Sequence, residues 1–137
     1  MAQVYTVAKD KVDDIWDEVG PLLNLAMLKY DDADYGIDYL KEQVVSGKQL
    51  LFLVVEDEKI IGAYTVDIID YENHRVAFTT CMGGRKVFNK DTVKQYEDWA
   101  RSQGVTKIRA YASEAQARLF RRKLGLRPTM SVVEKNL

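Results

Sequence analysis

The chain has 137 residues, 47% of them hydrophobic, with 20 basic and 21 acidic side chains and a net charge of −1. That balance excludes an overall electrostatic attraction to nucleic acid or to an anionic membrane, and no apolar run approaches the ~20 residues that span a bilayer. One cysteine, Cys81, excludes an internal disulfide framework, and a single histidine, His74, leaves no zinc ligand set, so no metal is expected.

No repeat, low-complexity tract or proline-glycine linker divides the chain, so one domain over 1–137 is expected, burying roughly two thirds of its unfolded surface. Residues 3–7 predict a short strand. Asp10 is a candidate cap for a helix whose Val12, Ile15, Trp16, Val19, Leu22 and Leu23 share one face, with Pro21 expected to bend or divide it. After an acidic loop over 30–36, Ile37, Leu40 and Val44 recur at helical spacing until Gly47. Residues 49–55 form a continuous apolar strand, 56–59 a charged turn, and 60–69 a second strand in which Gly62 suggests a bulge. A turn over 71–74 leads to a strand over 75–82 and a loop from Gly83 to Lys86. Asp91 or Asn89 then caps a helix carrying Val93, Tyr96 and Ala100, which Gly104 ends.

The last quarter of the chain is the most ordered in its pattern. Residues 105–112 alternate as a strand does, and 114–123 place Ala117, Phe120 and Leu124 on one helical stripe, with Gly125 as C-terminal cap and Pro128 barring continuation. A final strand is expected beyond. The resulting order, β-α-α-β-β-β-α-β-α-β, defines an α/β fold with a mixed, mostly antiparallel central sheet and helices on both faces.

This final segment resembles the last motif of the GNAT acyltransferase superfamily, in which an asparagine, an alanine, a leucine-tyrosine pair and a glycine-phenylalanine pair recur at fixed spacing. Here those places hold Glu114, Ala117, Phe120 with Arg121, and Gly125 with Leu126. The packing positions match, and the two polar ones are replaced. The loop from Met82 to Arg85, the helix end from Trp99 to Gly104 and the closing stretch from Glu134 to Leu137 are most similar to a divergent GNAT-like group encoded by tailed bacteriophages.

The resemblance implies an acyl-CoA site where two parallel strands splay apart, its pyrophosphate on the amides that open the next helix. The family's loop begins with glutamine or arginine, with glycine three residues on and glycine or alanine two further. Counting from Arg85, those places hold Phe88 and Lys90, followed by Asp91. A phenylalanine there is expected to take the room of the phosphate oxygens, and Asp91 to oppose their charge. If acyl-CoA binds at all, the residues implied are Cys81, Met82, Gly83, Gly84, Arg85 and Lys86, the glycines forming a shifted nest. The competing reading of Gly83 and Gly84 is a tight turn that needs glycine conformations.

The tyrosine that commonly protonates the departing thiolate in the family is replaced by Arg121, whose guanidinium cannot release its proton. Arg121 either stabilises a thiolate electrostatically or belongs to an exposed basic face with Arg118, Arg122 and Lys123. Asp67, Asp70 and Tyr64 are candidates for a general base, with Asp67 foremost. Cys81 as a nucleophile needs a base, and His74 lies about 20 Å away at the strand rise. The acidic loop either receives a cationic amine or caps the fold. The basic stretch from Arg118 to Arg127 suits a phosphate or an acidic protein.

The expectation is thus a phage-type GNAT-like protein that has given up acyl transfer, needs no cofactor, and serves in a virion, in its assembly or on a host protein. The expected setting is the virion or host cytoplasm, neither secreted nor membrane-spanning, and without a nucleic-acid partner. The rival reading is a working acetyl-CoA-dependent N-acetyltransferase acting on an amine.

Overall fold

The computed structural model describes residues 1–29 and 32–137. Its elements are β1 (Gln3–Val7), α1 (Val12–Met27), α2 (Ile37–Val45), β2 (Leu50–Glu56), β3 (Lys59–Asp70), β4 (Arg75–Gly84), α3 (Lys90–Ser102), β5 (Lys107–Ala110) and α4 (Glu114–Leu124). The strands form one sheet in the order β1-β2-β3-β4-β5, antiparallel from β1 through β4 and parallel between β4 and β5. This is the α/β architecture and mixed, mostly antiparallel sheet that the patterning predicts.

Strand alternation sends neighbouring side chains of β2 into two cores. Leu51 and Leu53 join Val12, Trp16, Val19 and Leu23 of α1 and Leu40 and Val44 of α2. Phe52 and Val54 point the other way, to Tyr64 and to Tyr96 and Ala100 of α3. The second core is aromatic: Phe52 stacks on Tyr64 at 4.9 Å and meets Trp99 edge-on at 4.8 Å, and Tyr64 meets Tyr96 at 5.3 Å. Such pairs each contribute about 0.5–1.5 kcal/mol beyond the area they bury.

Several local expectations shift. Pro21 lies inside α1 without dividing it, because Val12, Trp16, Val19 and Leu23 bury one stripe on both sides of the proline. Asp10 sits in a 3-10 turn over Lys9–Lys11, and α1 begins with no side-chain cap. The bulge read at Gly62 is present one residue earlier: Val54 pairs with Gly62 and Val55 with Ile60, leaving Ile61 as the extra residue. β4 runs on through Gly83 and Gly84, expected in the loop, because both still pair with β3.

The closing strand is the main departure. After Gly125, in the left-handed conformation at φ 72°, no regular element follows. Met130, Val132 and Val133 stay exposed. Their residue types favour a strand, but a strand needs a paired neighbour and Pro128 supplies no N–H donor. α4 itself follows its pattern. Phe120 is buried, Ala117 and Leu124 are half-buried, and Arg118, Arg121, Arg122 and Lys123 face solvent.

Candidate functional site

β4 and β5 pair over a short stretch, from Val76 with Lys107 to Thr79 with Ala110. β5 ends at Ala110 while β4 continues to Gly84, so the two parallel strands part beyond Thr79. At the parting point β4 carries a bulge. Thr65 pairs with Cys81 and Val66 with Thr79, which leaves Thr80 as the extra residue. Its hydroxyl donates to Gln49 Oε1 at 2.6 Å and meets Thr65 Oγ1 at 2.8 Å. This chain of polar side chains was not foreseen, since a bulge residue carries no mark in the sequence.

The candidate bases separate. Tyr64 is buried on the α3 side of the sheet, where burial raises its pKa, so it stays protonated. Asp67 falls on the opposite face by alternation, beside Phe78, its partner in β4, whose ring lies 4.8 Å from Tyr111. It is half-buried, and that burial raises its pKa. Asp70 is exposed and pairs with Arg75 at 3.6 Å. Of the acidic loop, Tyr30 and Asp31 lie outside the described residues. Tyr35 packs on Tyr39 at 5.3 Å, and its pKa is raised by burial first and by Cys81 and Tyr111 next, with Thr80 opposing. The loop therefore brings a tyrosine to the parted strands.

Cys81 is buried against α1. Its Sγ donates to the Leu23 carbonyl at 3.7 Å, and burial pushes the thiol up to about 11. A thiol held protonated in this way is no nucleophile at neutral pH. His74 bonds Thr106 Oγ1 at 2.9 Å in the β3–β4 turn, at the other end of β4.

Gly83 and Gly84 are tied to packing. A Cβ on Gly83 would stand 2.1 Å from the Leu22 carbonyl oxygen of α1, and one on Gly84 would stand 2.3 Å from Ile61 O. Gly84 also adopts φ 106°, open in practice to glycine alone. The Arg85 amide donates to Ile61 O at 2.9 Å, which removes it from any nest. Arg85 and Lys86 are exposed, and Met82 packs on the α3 side.

The start of α3 is closed by its own residues. Asn89 Oδ1 accepts from the amides of Asp91 and Thr92, each at 3.0 Å, and Thr92 Oγ1 accepts from the Asn89 amide at 2.9 Å. Thr92 Oγ1 also donates to Val87 O at 2.7 Å. The amides of Asn89, Asp91 and Thr92 are thereby satisfied within the protein. The signal was an asparagine followed three residues later by a threonine, a capping box with threonine in place of the usual glutamate. Phe88 is not the obstruction that was expected. Its ring turns into the aromatic core, 5.3 Å from Tyr64 and 5.8 Å from Phe120, because burial there outweighs exposure over the loop. Asp91 accepts from Gln95 at 3.3 Å, and Gln95 in turn bonds Ala2 O and the Val4 amide on the β1 side.

Between this closed start and α4 lies an open cleft of about 400 Å³ lined by Phe88, Asn89, Lys90, Leu119, Arg122, Lys123 and Leu124. Arg121, exposed on α4, is not among its lining residues. The described residues hold no cluster of His, Cys, Asp and Glu fit for a metal ion, and no helix is long and apolar enough to cross a membrane.

No protein-family model and no curated relative matches the chain. Solved structures do. An aminoglycoside acetyltransferase from an uncultured soil metagenomic sample, in complex with sisomicin, superposes with a TM-score of 0.72 at 12% identity, covering 99% of this chain and 96% of that one. A predicted acetyltransferase with acetyl-CoA from Clostridium acetobutylicum gives 0.65 at 14% identity over 99% and 96%. An aminoglycoside N-acetyltransferase in complex with CoA gives 0.67 at 17% identity over 100% and 95%. At these identities the likeness establishes the fold alone. The chain has the fold of the GNAT acetyltransferases.

Proposed function

We propose that this chain is a GNAT-fold protein that does not hold acyl-CoA on the α3 amides and acts by binding another protein. The observation that carries the reading is the capping of α3 by Asn89 and Thr92, which ties up the amides of Asn89, Asp91 and Thr92 where the helix begins. The presence of Arg121 where the family has a tyrosine supports it, since a guanidinium cannot release a proton to a departing thiolate. The similarity of 82–85 and 99–104 to phage-encoded sequences supports placing the partner in a virion, its assembly or a host cell. Fold by itself does not carry the ancestral chemistry.

A second reading, acetyl-CoA-dependent transfer to an amine, is favoured by the parted β4 and β5 and by the cleft between the start of α3 and α4, the helices that follow those strands. There Lys90, Arg122 and Lys123 side chains would take over from the amides. Calorimetric titration with acetyl-CoA separates the two. The proposal expects no saturable heat in the micromolar range. Micromolar affinity together with release of CoA thiol on adding an amine establishes the second reading instead.

A further inference from the structure

We propose that the cleft between the start of α3 and α4 docks an acidic peptide segment of a partner protein, with its carboxylates on Lys90, Arg122 and Lys123 and one apolar side chain against Phe88, Leu119 and Leu124. The inference rests on the protein-binding reading above and names its site and partner chemistry.

The charge of the cleft is one-sided. Three of its seven lining residues are cationic and none is acidic. The nearest carboxylate along the chain, Asp91, is held by Gln95 toward β1. The ion pairs among the described residues use Lys41, Arg75, Lys94 and Arg101, and none of them involves Lys90, Arg122 or Lys123. Arg118 and Arg121 extend the positive face along α4. Positive charge gathered around a concave surface raises both the rate and the selectivity of encounter with an acidic partner.

The apolar part gives the second half of the match. Leu119 stays 41% exposed, off the buried stripe of its helix, while the half-buried Phe88 and Leu124 line the same cleft. At about 400 Å³ the space is of the size that takes a single large side chain with part of its backbone. An apolar anchor inside a charged rim is the usual arrangement of a peptide-binding site. A nucleic acid would use the cations and leave Leu119 idle, and the chain's net charge of −1 disfavours it.

The test uses a fluorescein-labelled peptide with a central leucine flanked by Glu and Asp, read by anisotropy. Controls are the same peptide with serine at the centre and one flanked by lysines. The variants are Arg122→Glu with Lys123→Glu, and Leu119→Ser, all at exposed positions, with circular dichroism checking the fold. The acidic leucine peptide is expected to bind in a salt-dependent manner and to lose roughly tenfold in affinity in either variant. The lysine-flanked peptide is expected to gain affinity for the charge-reversed protein, a rescue that misfolding does not produce. Equal binding to the natural and charge-reversed proteins overturns the proposal, as does displacement by acetyl-CoA or a single-stranded oligonucleotide at lower concentration than by unlabelled peptide. Acetyl-CoA binding that leaves the peptide in place overturns the earlier reading and leaves this one standing.

Discussion

At Cys81 the thiol and its proton are held by the fold. Burial against Leu23 raises its pKa from 9.0 to about 11, so the folded protein keeps a proton that the unfolded chain releases between those values. Stability from this group is complete below pH 9.0 and is lost as pH rises toward about 11. Melting temperatures across that interval are expected to fall less steeply for Cys81→Ala than for the natural chain. An aromatic disulfide reagent near neutral pH is expected to label Cys81 only as fast as the protein opens. The Tyr64 hydroxyl makes the complementary case: it is buried with no hydrogen-bond partner among the described residues. Tyr64→Phe removes an unsatisfied polar group while keeping the ring that stacks on Phe52, and a gain of up to about 1 kcal/mol in denaturant unfolding is expected. A loss of similar size would show that the hydroxyl has a partner in solution.

Helix ends and strand ends carry the energetics at the next scale. Asn89→Ala removes the acceptor for two α3 amides and is expected to cost about 1 kcal/mol, read as a shift in the urea midpoint. Gly83→Ala pushes a methyl group into the Leu22 carbonyl, and because backbone faces backbone the strain cannot be relieved by a rotamer change. A loss of about 1–3 kcal/mol is expected, with unchanged secondary structure by circular dichroism. α4 is anchored through Phe120, whose ring meets Phe88 at 5.8 Å. Phe120→Ala is expected to cost about 3–5 kcal/mol, and a loss below about 1 kcal/mol would mean that α4 is not seated on the aromatic core.

At the scale of the whole molecule, the sheet lies between α1 and α2 on one face and α3 on the other, and its β5 edge is only four residues long. Residues 126–137 contribute no regular element, and the Asn136 amide holds Asp32 Oδ2 at 2.9 Å on the surface. Amide exchange is therefore expected to be fast over 126–137 and slow over β2, β3 and the paired part of β4, measurable by mass spectrometry after brief deuteration. The sequence by itself determined the element types up to α4 and the apolar stripes of α1, α3 and α4, because hydrophobic period is local, while the division of the continuous apolar β2 between two cores came from the layers packed on either side. Gly83 and Gly84 were legible as conformationally demanding positions. Their reason, the passage of α1 over β4, was not, because it depends on which backbone lies opposite. Phe88 was expected to fill the room of the phosphate oxygens and instead turns inward, since only the assembled core offered Tyr64, Tyr96 and Phe120 as neighbours. Tertiary structure alone also decided the Thr80 bulge, the parting of β4 from β5 after Thr79, the gathering of Lys90, Arg122 and Lys123 around one cleft, and the absence of the final strand. Each of these depends on a partner distant in sequence, and a residue's own propensity carries no information about whether that partner is there.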